Sequence, residues 1–252
     1  MTTTDPSTES AVGATVAATS VAAAWSRRAD HYLRFYRRHG EARRPAWRSA
    51  LAAWLDAGAE PLRVLDVGTG TGFLATTLAG LGHDVVGIDL ADRMLGHARA
   101  EAARHEVAPS FVRGAADRVD TLPELDGGVD VVTSRFVLWT LPDPLAALRA
   151  WHAVLRPGGL LVLADGLWRP RRPDPSGRVG TPGLRGRVRL VRDRYVLGRR
   201  APFWRGLEPA TARALLLDAG FRAPRRREDE LAAHAWPAAE DFFVLTARRD
   251  TC

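Results

Sequence analysis

Arg63-Val64-Leu65-Asp66-Val67-Gly68-Thr69-Gly70-Thr71-Gly72 decides the fold. Its first five residues read as a short buried strand, and Phe73-Leu74-Ala75-Thr76-Thr77-Leu78-Ala79 reads as a helix. The three glycines therefore occupy a strand-to-helix turn. A glycine there can take positive φ without steric cost and lets a ligand approach the backbone. The first amides of the following helix point into the same space, so the turn suits a nucleotide-like ligand.

Spacing narrows the choice. A dinucleotide fingerprint places glycine at the first, third and sixth positions. Counting from Gly68, glycine falls at the fifth place, and Phe73 takes the sixth. Downstream, Asp84-Val85-Val86-Gly87-Ile88-Asp89 is a second apolar strand ending in an acid. An acid in that place can accept hydrogen bonds from ribose hydroxyls.

Outward from this unit, strands alternate with helices. Strands are predicted at 62–67, 84–89, 110–113, 129–134 and 159–165, and helices at 72–80, 92–105 and 142–155. Such alternation implies an α/β fold with a parallel sheet wound on both faces. Ligands then sit at the carboxyl ends of the strands, where the strand order reverses. Upstream, Trp25, Ala29, Tyr32 and Tyr36 share a helix face over 22–39, with Gly40 as the stop. A second helix runs from Pro45 to Gly58. Downstream, a helix is expected over 208–219, followed by strands over 221–227 and 241–247. Residues 1–20 are rich in Ala, Thr and Ser and read as a disordered tail.

Composition excludes several chemistries. The chain has 252 residues and one cysteine, Cys252, so an internal disulfide, a cysteine metal site and a buried cysteine nucleophile are ruled out. The seven histidines show no metal-ligand spacing, and no metal is expected. No run is long and apolar enough for a bilayer span, and no signal pattern is visible, which sets the expectation of a soluble, cytoplasmic protein. All 36 basic residues are arginine, which reads first as a coding bias. Twelve of them fall between Arg169 and Arg205 against Asp174 and Asp193, a local net of +10 in a chain of net +7. Leu184, Val188, Val191 and Tyr195 give that segment an apolar stripe. It reads as an amphipathic lid, a clamp for an anionic small molecule, or a nucleic-acid surface. Aromatics spaced for base stacking are lacking, which disfavours the last.

Asp66-x-Gly68-x-Gly70-x-Gly72 with Asp89 resembles the class I S-adenosylmethionine (SAM)-dependent methyltransferases, over roughly residues 25–248. Arg156-Pro157-Gly158-Gly159 before an apolar strand is frequent there too, as a turn feeding strand five. The resemblance implies a doubly wound, mostly parallel seven-stranded Rossmann-like sheet with N-terminal helices. It divides the chain into the tail (1–20) and one domain over 21–252. That domain comprises a helical cap (21–58), a SAM-binding core (59–168), the arginine-rich lid (169–206) and a C-terminal helix with a hairpin (207–252). It implies SAM as cofactor, S-adenosylhomocysteine (SAH) as product and a small-molecule acceptor methylated on O, N or C. It places Tyr32, Asp66, Gly68, Thr69, Gly70, Asp89, Leu90, Ala116, Asp117 and Ser134 at the cofactor. Ala115 stands where an adenine-reading acid is common, so Asp117 or backbone groups take that task. Arg135, Trp139, Trp168 and Tyr195 are candidates for the acceptor, and His31, Tyr36 and Tyr195 for a base where one is needed. His97, His105 and His152 read as solvated. An RNA methyltransferase and a SAM-binding protein of other chemistry are the alternatives, nucleic acid being disfavoured as a partner. No membrane partner is expected, and a homodimer is compatible with the sequence.

Overall fold

The computed structural model describes residues 6–55, 58, 60–167, 201–203, 206–231 and 242–251. Most of the arginine-rich segment, with Trp168 and Tyr195, lies outside the described residues.

Seven strands form one sheet: β1 (Arg63–Val67), β2 (Asp84–Asp89), β3 (Ser110–Arg113), β4 (Val129–Arg135), β5 (Leu155–Gly166), β6 (Arg222–Arg226) and β7 (Phe242–Arg248). Their order is β3-β2-β1-β4-β5-β7-β6. β1 to β5 are parallel, β7 runs antiparallel to β5, and β6 is antiparallel to β7. The helices are α1 (Pro6–Phe35), α2 (Arg44–Leu55), α3 (Phe73–Ala79), α4 (Asp92–Arg104), α5 (Pro144–Val154) and α6 (Pro209–Asp218). The chain winds outward from β1 to β3, then returns to β1's other side as β4. The strand order thus reverses between β1 and β4, and their carboxyl ends open a crevice there.

Alternation along each strand sends side chains to two apolar layers. Val64, Val85, Val131 and Val162 pack against Trp47, Leu51 and Trp54 of α2 and Leu74 and Leu78 of α3. Leu65, Val132, Leu161 and Leu163 pack against Leu148 and Trp151 of α5 and Leu216 of α6. The sheet is apolar on both faces, as a doubly wound parallel sheet requires. No helix among the described residues is long and apolar enough to cross a membrane.

The N-terminal half of α1 differs from expectation. Helix runs through the stretch read as a disordered tail, beginning at Pro6. Alanine has the best helix propensity, Pro6 is tolerated in a first turn, and no later proline interrupts. Gly40 does not stop the helix either. Tyr36–Gly40 forms a π turn, Glu41–Arg43 a 3₁₀ turn, and α2 follows directly. Gly40 keeps helical angles, φ −78° and ψ −40°. A Cβ there would lie 2.9 Å from Tyr36 Cδ1, so this glycine serves close packing. Arg156–Gly159 is not a turn before β5 but part of it. Leu155 pairs with Val129, and the register shifts before Leu160 pairs with Val131.

Gly87, inside β2, shows how tightly the sheet edge is packed. A Cβ would come within 2.9 Å of both the Phe111 ring and Thr69 Oγ1. Gly87→Ala is therefore expected to destabilise the fold by about 1–3 kcal/mol through overpacking. Urea denaturation of the purified variant checks this, and an unchanged midpoint would show that Phe111 moves freely.

Candidate functional site

The crevice at the carboxyl ends of β1, β2 and β4 is a cavity of about 290 Å³. That is near the lower end of the range for small-molecule sites. Its floor is the turn after β1, one wall is the end of β2 with Gly114–Asp117, the other is Arg135–Val137, and α1 roofs it with Val21, Trp25 and Tyr32.

The glycine turn is shaped by two different needs. Gly68 sits at φ +64°, and a Cβ would fall 2.3 Å from Val137 Cγ2, so it lets the segment after β4 close on β1. Gly70 sits at φ +57°, and the nearest atom to a Cβ there is the Gly68 carbonyl oxygen at 3.9 Å. Its open side belongs to the cavity wall. Asp66 is buried at the end of β1. It accepts hydrogen bonds from Thr69 Oγ1 at 2.7 Å and Thr133 Oγ1 at 2.9 Å. Burial outweighs these bonds and raises its carboxyl to about 6.

Asp89 closes the other side. Its carboxylate accepts from Gly70 N–H at 3.0 Å and from Ala91 N–H at 2.9 Å. Burial likewise raises it to about 6. Beyond it, Trp151 Nε1 donates to the Ala116 carbonyl at 2.7 Å and pins the loop after β3 to α5. Leu90, Ala116 and Asp117 line the same end of the cavity.

The roof is aromatic. Trp25 meets Tyr32 edge-on at 5.5 Å, Tyr32 lies 6.1 Å from Tyr36, and Tyr36 lies 5.8 Å from Phe73. Burial, with Tyr36 nearby, pushes the Tyr32 phenol far up, so it stays protonated. Asp30 ties the outer face of α1 to α4 through Arg93 at 2.6 Å and His97 at 2.9 Å.

Several candidates stand elsewhere. His31 is exposed on α1 and does not line the cavity, because the helical turn that sends Tyr32 inward sends its neighbour out. Ser134 is fully buried in β4 between Val67 and Leu163 and is no part of the cavity wall. Strand alternation gives Thr133, not Ser134, to the Asp66 side. Trp139 is also outside the wall; its ring meets Trp25 edge-on at 6.2 Å. The histidines read as solvated are engaged: His97 pairs with Asp30, and His152 packs edge-on against Phe221 at 5.1 Å. His105 lies 3.6 Å from Glu41. Glu41, Glu101 and His105 are close enough to share an ion. However, Arg37 and Arg104 bind Glu101 at 2.6 and 2.8 Å, and Arg44 and Arg104 both bind Glu41 at 3.0 Å, so arginines already neutralise the cluster.

Asp165 escaped the sequence reading. At the end of β5 it is fully buried, accepting from Gly166 N–H at 2.9 Å and Trp139 N–H at 3.4 Å. Burial raises it to about 7. It anchors the turn after β4, whose Val137 and Thr140 line the cavity.

The comparisons with known proteins agree with this architecture. Residues 65–163 match a family described as methyltransferase domain. The ubiquinone biosynthesis O-methyltransferase of Pseudomonas aeruginosa (strain UCBPP-PA14) is 35% identical over 113 residues, 44% of this chain and 48% of that protein. The chain thus matches about half the length of that relative. Magnesium protoporphyrin IX methyltransferase from Synechocystis PCC 6803, solved with bound SAH, superposes with a TM-score of 0.52 at 21% identity, covering 81% of this chain and 82% of that one. An O-methyltransferase, so far putative in name, from Nostoc punctiforme PCC 73102 gives a TM-score of 0.57 at 20% identity, covering 89% and 60%. At such identities these likenesses show the Rossmann-like methyltransferase fold.

Asp66, Asp89 and Asp165 all have carboxyls raised by burial, so the folded state holds protons that the unfolded chain releases near pH 4. Their contribution favours folding at low pH and is lost as pH rises through about 6 to 7. The ligand-free protein is expected to melt at a lower temperature at pH 8 than at pH 5.5. Asp165→Asn keeps an acceptor for Trp139 N–H without ionising. It should flatten that slope and gain about 1–2 kcal/mol at pH 8, since one pH decade is worth about 1.4 kcal/mol. Calorimetry across the range would contradict this if the two proteins kept parallel curves.

Proposed function

We propose that this chain, whose residues 65–163 match the methyltransferase-domain family, is a class I SAM-dependent methyltransferase that transfers the methyl group of SAM to O, N or C of a small molecule. The observation that carries the proposal is the shared wall formed by the open face of Gly70 and the half-buried carboxylate of Asp89, 3.0 Å from Gly70 N–H. A side chain at position 70 would fill the space that a nucleoside needs, and an acid at the end of β2 suits vicinal hydroxyls. These residues fit the cofactor.

Asp89 would accept the ribose hydroxyls, while Gly68, Thr69 and Gly70 would bring backbone to the methionine portion. Leu90, Ala116 and Asp117 would flank the adenine. Tyr32 from α1 and Tyr36 from the π turn after it cover the cavity, so the aromatic roof excludes water from the reacting atoms. SAM supplies a methyl group already activated on a sulfonium. The chain therefore has to align the acceptor, hold reacting atoms about 3–3.5 Å apart and keep the site dry. Tyr32, held protonated, can donate a hydrogen bond but is a poor base at neutral pH. Of the proposed bases, only Tyr36 both lies among the described residues and lines the cavity. A base would add about 10²–10⁴-fold only for a weakly nucleophilic acceptor.

The acceptor belongs at the β4 side, where Arg135, Phe136 and Val137 form the wall. The names of the curated relatives make an oxygen acceptor the first to try. We take the protein to act as a soluble cytoplasmic enzyme that needs no metal or membrane.

Titration calorimetry is expected to find binding of SAM and SAH and none of NAD. Asp89→Ala should weaken SAM at least tenfold, since hydrogen bonds to a charged acceptor are worth about 1.5–3 kcal/mol. Asp117→Ala should have a smaller effect; equal losses would mean that the ribose lies elsewhere. Because the Asp89 carboxyl sits near 6 in the free protein, SAM affinity should also fall as pH drops below about 6, where the acid becomes protonated and loses one acceptor face.

A further inference from the structure

Asp165, the penultimate residue of β5, is fully buried and does not line the cavity. Its two carboxylate oxygens take different donors. Oδ1 accepts from Gly166 N–H at 2.9 Å, and Oδ2 accepts from Trp139 N–H at 3.4 Å. The amide of Leu138 bears on the carboxyl as well. An acid on β5 thus reaches across to the turn that follows β4. One end of that turn is held by Phe136 N–H, which bonds the Ala164 carbonyl at 2.8 Å. Val137 then closes over Gly68, where a Cβ would lie 2.3 Å from it. The bonds to Asp165 tie the middle of the turn to the sheet.

That turn serves two sides of the cavity. Val137, Thr140 and Leu141 line its wall, and the Trp139 ring meets Trp25 of the α1 roof edge-on at 6.2 Å. The surroundings of Asp165 are apolar. Leu138, Leu163, Leu207 and Phe243 belong to the buried layer on its side of the sheet, Phe243 being its partner across β7. Arg135, at the end of neighbouring β4, faces the opposite layer, 5.5 Å from the Trp47 ring. Among the described residues no charged side chain bears on the carboxyl. Backbone amides alone oppose the burial that raises it to about 7. Its change of charge near neutral pH therefore falls on the turn. Ionised, both oxygens accept; protonated, one becomes a donor. The proton settles on the oxygen with the longer bond, the one that faces Trp139 N–H.

We propose that Asp165 is a positioning residue that sets, through the amide of Trp139, how tightly the wall after β4 and the α1 roof close on a bound cofactor. The inference rests on the SAM reading above and deepens it, giving the site a residue that adjusts it without touching the ligand. The ionised acid holds the turn by charge-assisted bonds, which are shorter and stronger than neutral ones. It is therefore the form that binds cofactor more tightly. The same charge is buried, and a buried charge costs the fold. Stability and affinity pull in opposite directions at this residue. A residue that only supported the fold would move both the same way.

Full-length wild type and Asp165→Asn decide the matter, by calorimetric titration with SAH and by thermal melting of the ligand-free proteins at pH 6 and pH 8. The asparagine has the same shape and keeps one acceptor oxygen, so it mimics the protonated acid at every pH. At pH 8 Asp165→Asn should melt above wild type yet bind SAH roughly three- to tenfold more weakly, the scale of one hydrogen bond to a charged group. At pH 6, below the value of about 7 for Asp165, the two should bind alike. Asp89 titrates in both proteins, so its effect cancels in the ratio. Tighter binding to the ionised form also requires SAH to expel a proton from Asp165. Titration at pH 7 in two buffers of different ionisation enthalpy should find wild type releasing more protons than the variant. Asp165→Ser, shorter and uncharged, carries the same comparison if the asparagine variant does not fold. The proposal is overturned by equal SAH affinity at pH 8, by a weakening of the same size at both pH values, or by a variant that is both less stable and weaker in binding at pH 8. Wild-type protein that binds neither SAM nor SAH overturns the methyltransferase reading and this inference with it, whereas a negative variant comparison leaves that reading standing.

Discussion

The carboxylate of Asp66 holds the site's geometry at its centre. It receives Thr69 from the turn and Thr133 from β4, so one buried acid joins the two strands between which the sheet order reverses. That is where the crevice opens. A buried carboxylate is costly unless hydrogen-bonded, and two hydroxyl donors from different segments answer that need only if turn and strand sit in one register. Thr69 also donates its backbone N–H to the Ile88 carbonyl at 2.8 Å. The turn is thereby fastened to β2 as well, and Asp89, one residue on, arrives beside Gly70. Floor and wall of the cavity are consequences of the same few bonds.

Much of this was legible in the sequence because its causes are local. β2 and β3 fall on their expected residues, since short apolar runs between polar turns have few other ways to bury themselves. The turn after β1 was legible because glycines so spaced signal positive φ, and all three adopt it. Gly40 misled for an equally physical reason. A glycine after a helical stretch ordinarily signals a cap, but here the missing Cβ makes room for the Tyr36 ring, a contact one helical turn away that spacing does not specify.

What the sequence did not disclose depends on tertiary neighbours. Asp165 looks like any acid at the end of an apolar strand. Its raised carboxyl arises because β7 covers one side of β5 and the turn after β4 comes to rest against it. Phe136 adopts φ +60°, uncommon for a bulky residue, while its N–H bonds the Ala164 carbonyl at 2.8 Å. No periodicity announces such a conformation. Ser134, expected at the cofactor, lies outside the cavity wall while Thr133 bonds Asp66, and in a strand one residue is the whole difference between two faces. His31 and Tyr32 part in the same way on a helix, where successive residues stand about a quarter-turn apart around the axis.

The two halves of the cavity are held by interactions of very different strength. The floor and walls belong to a seven-stranded ladder with apolar layers on both faces, so distorting them means breaking the core. The roof is α1, held by Ala29, Trp25 and Tyr32 packed on Ala91 and Met94, by Trp25 edge-on to Trp139, and by Asp30 bridging to Arg93 and His97. The Asp30–Arg93 pair is largely exposed, and an exposed pair contributes little, about 0–1 kcal/mol. The part of the molecule that costs least to displace is therefore the part that covers the cavity, while the part that fixes the placement of Gly70, Asp89 and Arg135 costs most. A site that must admit two reactants and then exclude water needs that division. The sequence provides it by placing aromatics on the inner face of α1 and its salt bridge on the outer one.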